Sequence, residues 1–223
     1  MAYRRTDKVE RRLKQRHAAI ILAARAAAAE GGMGSVQIAP VAERAGIAAG
    51  TVYRYFPSKT ELVTALVAAV SEREIAAMRQ AADKAPGPLS ALAAAITTFA
   101  ARVLANRSLA WAVIAEPVDA EIDSVRLVYR KVLAAELESR IAAAMRAKSL
   151  PEQNGAVSAA AIIGALLEGL ISPLAPNLSN DPARAHDAVQ ALTLLALRAV
   201  GVVDAHARGL VVQTAFPVIE DKE

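Results

Sequence analysis

The sequence predicts an all-α protein of about nine helices, and three observations carry that expectation. Alanine, which loses no side-chain entropy in a helix, occurs 54 times in 223 residues. Apolar residues recur at three- and four-residue intervals along most of the chain, the spacing that lines one helix face. Chain-breaking residues fall mostly between these stretches, at Gly31-Gly32, Gly46, Pro57 and Pro86-Gly87-Pro88.

The elements follow in order. An aperiodic N-terminal arm carrying Arg4, Arg5 and Lys8 precedes a first helix over 9–30, with Leu13, His17, Ile20, Ile21, Ala24 and Ala28 on one face. A second helix fits 38–45, with Pro40 in its first turn, where a missing N–H costs little. Gly46 ends it, and a third short helix over 48–56 stops at Pro57. The S-x-x-E pattern at Ser58 to Glu61 reads as a capping box opening a long fourth helix to about Lys84. Further helices are predicted over 89–106, 109–115, 119–148, 153–170 and 182–203. The last two are apolar on nearly every side over 159–170 and 188–203, a pattern that asks for burial against more than one neighbour. The stretch from Gly209 to Glu223 is a tail with no assigned element, and the role of 204–223 stays open.

Composition narrows the function classes. Hydrophobic residues make up 55% and charged residues 22%, the balance of a folded globular chain. With no cysteine, disulfides, thiolate zinc sites and cysteine nucleophiles are excluded, and a reducing, cytoplasmic home is expected. No uncharged apolar run approaches the roughly 20 residues of a membrane span, so none is expected. Charge is uneven. Residues 1–59 hold 11 Lys/Arg against 4 Asp/Glu, net +7, whereas 60–223 hold 15 against 18, net −3. A basic end on an otherwise acidic chain points to a nucleic acid or an anionic membrane surface as partner.

Enzyme signatures are missing from the sequence: it has no HExxH, no phosphate-binding P-loop, no dinucleotide glycine fingerprint and no GxSxG. His17, His186 and His206 are scattered, and His17 reads as a core histidine on the apolar face of the first helix. Glu136 and Glu138, two apart on a helix, diverge. No catalytic residue, metal or cofactor is assigned.

The main signal lies at 41–56. Two short helices joined by a glycine-bearing turn make a helix-turn-helix, whose second helix enters the DNA major groove. Three of the eight aromatic residues sit at Tyr53, Tyr55 and Phe56. Val52 and Phe56, four apart, suit the core, which leaves Thr51, Tyr53, Arg54 and Tyr55 to face outward. With V-A-E-R-A-G-I at 41–47 and G-T-V-Y-R-Y-F-P-S-K-T-E-L at 50–62, the segment from about Arg12 to Val70 resembles the tetracycline-repressor (TetR) family of bacterial transcriptional regulators.

The resemblance implies a DNA-binding domain over 1–57 and a helical effector-binding and dimerisation domain over 58–223, the fourth helix connecting them. It makes 48–56 the recognition helix, with Ala48, Ala49, Gly50, Thr51, Tyr53, Arg54 and Tyr55 at the DNA and Lys59 on a phosphate. A cation beside exposed helix N–H groups suits an anion. Two departures stand out: Ala48 and Ala49 replace a hydroxyl cap and the residue after it, and Gln37 replaces the cap of the second helix. Base reading then rests on apolar contact to thymine methyls, on Arg54, and on the arm in the minor groove.

The resemblance further implies a small-molecule effector, with Phe99, Arg102, Trp111, Arg126 and Tyr129 on the helices that would line its pocket and the 116–119 break as a gate. It implies a homodimer through the last two helices, with Ile163, Leu166, Leu167, Leu170, Leu192 and Leu195 at the interface. The expected function is therefore a repressor that binds a palindromic double-stranded operator as a homodimer and is released by a small apolar effector. The alternative is a helical protein attached to lipid or membrane surfaces by its basic N-terminus.

Overall fold

The computed structural model describes residues 7–176 and 181–218. Arg4 and Arg5 of the basic arm therefore lie outside the described residues. Ten α-helices follow one another: α1 Asp7–Gly31, α2 Ile38–Arg44, α3 Ala49–Tyr53, α4 Lys59–Asp83, α5 Pro88–Ala105, α6 Arg107–Ile114, α7 Ala120–Arg146, α8 Gly155–Leu170, α9 Pro182–Ala199 and α10 Asp204–Gln213. A 3-10 turn, Met33–Ser35, links α1 to α2. No strand occurs among the described residues.

The helix count corrects the expected nine. The ninth helix ends at Ala199, because Gly201 takes a left-handed φ of 98°, and the chain resumes as α10 inside the unassigned tail. Gly209, the first residue of the unassigned tail, sits within α10; Ala207, Leu210 and Val211 bury the face that holds the helix in place.

Side chains cap five of the ten α-helix starts. Ser58, Asn106, Asp119 and Asn154 each accept the backbone N–H three residues on, at 3.1 to 3.2 Å. The starts of α2 and α3, at Gln37 and Ala48, lack a side-chain cap.

Two apolar cores form. The first joins α1, α2, α3 and the front of α4 to α6 and the start of α7, through Ile20, Ala24, Val52, Leu62, Leu66 and Val113 among others. The second fills the remainder, around Met78, Leu92, Ile96, Leu137, Leu166 and Leu197. At 25 residues, α4 is about 37 Å long and contributes to both. Pro88–Ala105 is the one helix among the described residues long and apolar enough to cross a membrane by length and composition; 67% of that window is buried in the fold, as befits a central core helix.

The reading of α8 as apolar all round is refined by size. Ala159, Ile162, Ile163, Leu166 and Leu170 face inward, while the exposed side carries Ala156, Val157, Ala160, Ala161, Gly164 and Glu168, mostly small residues.

Candidate nucleic-acid interface and ligand cavity

The turn between α2 and α3 depends on Gly46, whose φ of 65° is the left-handed conformation that favours glycine. Its N–H donates to Glu43 O at 3.0 Å, and Ile47 N–H donates to Ala42 O at 3.0 Å, which closes α2 and turns the chain. Val52 and Phe56, at 0% and 4% exposure, pin α3 to the first core. The opposite face is open. Ala48, Gly50, Tyr53, Arg54 and Lys59 are exposed, and Ala49 and Thr51 are half-buried beside them. Lys59 is the first residue of α4, next to its unpaired N-terminal N–H groups. Arg44 is tied to Glu30, with Nη1 donating to Oε1 at 2.8 Å, which joins the end of α2 to the end of α1. That pairing holds the Glu30 carboxyl below its ordinary range.

Three expectations are corrected here. The helix expected over 48–56 is regular only over Ala49–Tyr53, because residues 54–56 tighten into a turn ahead of Pro57, Arg54 N–H reaching Thr51 O at 3.3 Å and Tyr55 N–H reaching Val52 O at 2.9 Å. Tyr55 does not face outward. It is half-buried, and its hydroxyl is enclosed without a hydrogen-bond partner. His17 is exposed rather than core; its ring lies 5.0 Å from Phe56 and 6.4 Å from Tyr55, covering the aromatic end of the helix-turn-helix.

A cavity of about 650 Å³ lies between α1, α4, α5, α6 and α7, with Leu167 of α8 closing one side. Phe99, Arg102, Arg126 and Tyr129 line it as expected. Trp111 does not: α6 turns Leu109, Ala110, Val113 and Ile114 to the cavity and leaves Trp111 half-buried on its other flank. Sequence reasoning missed Arg25, Arg73, Glu74, Met78 and Leu133. For Arg25 a signal existed, a lone charge inside an alanine run.

The polar groups of the cavity are organised. Arg102 forks onto Glu74, Nε to Oε2 at 2.5 Å and Nη2 to Oε1 at 2.8 Å, and these hydrogen bonds raise the Arg102 pKa above its ordinary value. Tyr129 donates its hydroxyl to Glu72 at 2.9 Å; burial first, and the carboxylate second, push its pKa up. Arg126, 7% exposed, donates to three carbonyls at the end of α6: Nε to Val113 at 2.8 Å, Nη2 to Ala112 at 2.6 Å and Nη1 to Glu116 at 2.6 Å. No group of His, Asp and Glu suited to a metal ion occurs among the described residues.

The six expected interface leucines and isoleucine separate. Ile163, Leu166 and Leu170 are 8%, 2% and 0% exposed, taken into the chain's own core. Leu167 lines the cavity, and Leu192 packs on Gly169, so that a Cβ there would meet its Cδ2 at 2.7 Å. Leu195 alone of the six is exposed, at 53%. Large side chains on α8 and α9 are needed inside the protomer, which sequence periodicity could not distinguish from burial by a second copy.

Residues 20–66 match the family model for bacterial regulatory proteins of the tetR family. The HTH-type transcriptional repressor KstR of Rhodococcus jostii (strain RHA1) is 48% identical over 60 residues, 27% of this chain and 28% of that protein. The match thus spans little more than a quarter of the curated relative's length. Over almost the whole chain the likeness is one of fold: RolR in complex with resorcinol aligns at a TM-score of 0.66 with 23% identity, covering 95% of this chain and 100% of that one. FadR from Bacillus subtilis in complex with stearoyl-CoA aligns at 0.68 with 20% identity, covering 84% and 99%. The helix-turn-helix segment, residues 20–66, is thus that of the tetR family of bacterial regulatory proteins.

Proposed function

We propose that this transcriptional regulator binds a palindromic DNA operator as a homodimer, acts as a repressor, and releases DNA when a small molecule occupies the 650 Å³ cavity. The observation that carries the reading is the open face of α3 and the start of α4, where Tyr53, Arg54 and Lys59 project from a core that also contains cavity-facing helix α6. One apolar core thereby joins the exposed face carrying Arg54 and Lys59 to the wall of a ligand-sized cavity. Residues 1–57 would supply the DNA contacts and 58–223 the cavity and dimer face. Exposed Tyr53 and Arg54 would meet base edges or phosphates, with Ala48, Ala49, Gly50 and Thr51 against the groove, and Lys59 would take a phosphate. RolR in complex with resorcinol and FadR in complex with stearoyl-CoA share this fold, which favours a ligand with an apolar body.

The membrane-surface reading needs an apolar helix face beside the basic residues. Ile20, Ala23, Ala24, Ala27 and Ala28 of α1 are buried in the first core, which leaves that face occupied. The deciding experiment is selection of bound fragments from the source genome, followed by mobility shift on the recovered motif. A palindromic motif bound at nanomolar to tens of nanomolar concentration supports the reading. Binding that is equal on motif and scrambled DNA, or stronger to anionic vesicles, overturns it.

A further inference from the structure

The first helix serves both the helix-turn-helix and the cavity. On α1, Ile20, Ala23, Ala24, Ala27 and Ala28 are buried in the first core, while Leu22, Arg25, Ala26, Ala29 and Glu30 line the cavity. Each set repeats at three- and four-residue intervals, so each is one helix face. The two are offset by two residues, about 200° of rotation in a helix of about 3.6 residues per turn. One flank of α1 therefore meets the core that holds α3, and the other meets the cavity. This second stripe lies within 20–66, the span that matches the tetR family model, and outside the 58–223 region expected to hold the effector.

Its composition sets it apart from a solvated flank. Earlier in α1 the same flank is polar, at Arg11 and Gln15, as an outward helix face usually is. At the cavity it carries Leu22, a large apolar side chain left 50% exposed, and two alanines, Ala26 and Ala29, whose short side chains leave room. The other apolar walls come from both cores, Leu109 and Val113 from the first and Met78, Phe99, Val103 and Leu133 from the second. The cavity thus lies at the seam between the two cores.

From this arrangement, and resting on the ligand-release reading above, we infer that α1 is part of the effector site and limits the size of what enters. The ligand has an extended apolar body. One end covers Leu22 and lies over Ala26 and Ala29; the other packs on Met78, Phe99 and Leu133. Covering Leu22 takes apolar surface out of water, which favours the complex. A body of that reach joins the two cores and touches the DNA-binding segment itself, so occupancy reaches the core around α3 through α1 as well as through α6. A molecule confined to Met78, Phe99 and Leu133 would leave Leu22 in water.

The test is fluorescence titration of the full chain with Nile red, a neutral elongated dye, and with the smaller N-phenyl-1-naphthylamine. Leu22→Asn, at an exposed position, should weaken Nile red at least threefold. Ala26→Leu, which fills the α1 wall, should weaken Nile red tenfold or more and the smaller dye less than threefold. Ala135→Leu, exposed on α7 outside the cavity, should leave both within twofold. Saturating Nile red should slow backbone hydrogen exchange in α1 over 22–30 as well as in α5. If circular dichroism finds Ala26→Leu unfolded, Leu22→Asn and the exchange data decide. The inference is overturned if Phe99→Ala weakens Nile red while Leu22→Asn or a folded Ala26→Leu does not, or if exchange in α1 is unchanged. A parent chain that binds no Nile red, or binds it with no dependence on Phe99, overturns it as well. Operator binding is scored separately. Dye binding that depends on α1, in a chain that ignores its selected DNA, refutes the regulatory reading alone; operator release by a small molecule indifferent to Leu22 and Ala26 refutes the α1 site alone.

Discussion

The Glu116 carboxylate accepts the Met33 backbone N–H at 2.7 Å, across 83 residues of chain. This bond ties the connection between α6 and α7 to the 3-10 turn that leads into α2. It requires Gly32, whose φ is 72° and where a Cβ would stand 2.8 Å from Glu116 Oε2. Arg126 fixes the other side of the connection by holding the Glu116 carbonyl and two carbonyls of α6, and it also lines the cavity. Cavity, α6 terminus and helix-turn-helix are therefore consecutive links in one hydrogen-bonded chain.

Glu116→Ala should leave the part-buried Met33 N–H without its acceptor and destabilise the fold by about 1–3 kcal/mol. Glu116→Gln keeps an acceptor oxygen and should lose less. If this link carries ligand response, both variants should widen the gap between cavity occupancy and DNA release, read as a smaller effector-induced change in operator affinity. An unchanged melting temperature for Glu116→Ala would show that the bond is not stabilising in solution.

Arg126→Met should be more damaging, because three carbonyls at the end of α6 lose their donors together. A loss of about 3 kcal/mol or more is expected in denaturant unfolding. Arg126→Lys should not rescue it, since one ammonium lacks the planar fork that reaches all three acceptors.

Much of the DNA-binding half was legible in the sequence, because short-range chemistry decides it: Gly46 needs a left-handed turn, Val52 and Phe56 need burial, and Ser58 caps α4. The cavity was legible only in part. Phe99 and Tyr129 sit on helix faces that periodicity can assign, but Trp111 and Leu133 are separated by which flank of α6 meets α1 and α5 and which flank of α7 meets α4 and α5, a matter of helix crossing rather than spacing. Arg126 shows the limit most plainly. Its carbonyl acceptors lie 10 to 14 residues earlier, and a pattern read at helical intervals has no sight of them.

Trp111 lies off the cavity, so Trp111→Phe should leave small-molecule affinity within about twofold, whereas Phe99→Ala, which opens the apolar wall, should change it by tenfold or more. Titration of both variants with whichever probe binds the parent chain checks this. Equal effects would place Trp111 in the ligand site after all.

Lys59→Ala should weaken binding to operator and scrambled DNA about equally and lower the slope of log affinity against log salt by about 0.9, the increment for one phosphate contact. Arg54→Ala should act on one base position instead, with discrimination there falling by roughly 1–3 kcal/mol if the guanidinium reads a guanine. Equal loss on both DNAs would assign Arg54 to the backbone.

The dimer proposal turns on the contrast between Leu195 and Leu166. Both are leucines on apolar helices, but Leu195 is 53% exposed on α9 and Leu166 is 2% exposed on α8. A charge at Leu166 enters the second core and should unfold the chain, which says nothing about assembly. A charge at Leu195 meets solvent in one protomer, so Leu195→Glu should stay folded. If α8 and α9 pair with a second copy, it should sediment as a monomer at micromolar concentration while the parent chain sediments as a dimer. The monomer should also lose operator affinity, because two recognition helices must reach successive major grooves about 34–36 Å apart, and one alone reads half a palindrome. A Leu195→Glu protein that remains dimeric would move the interface off Leu195. A parent chain that is monomeric at micromolar concentration would end the homodimer reading.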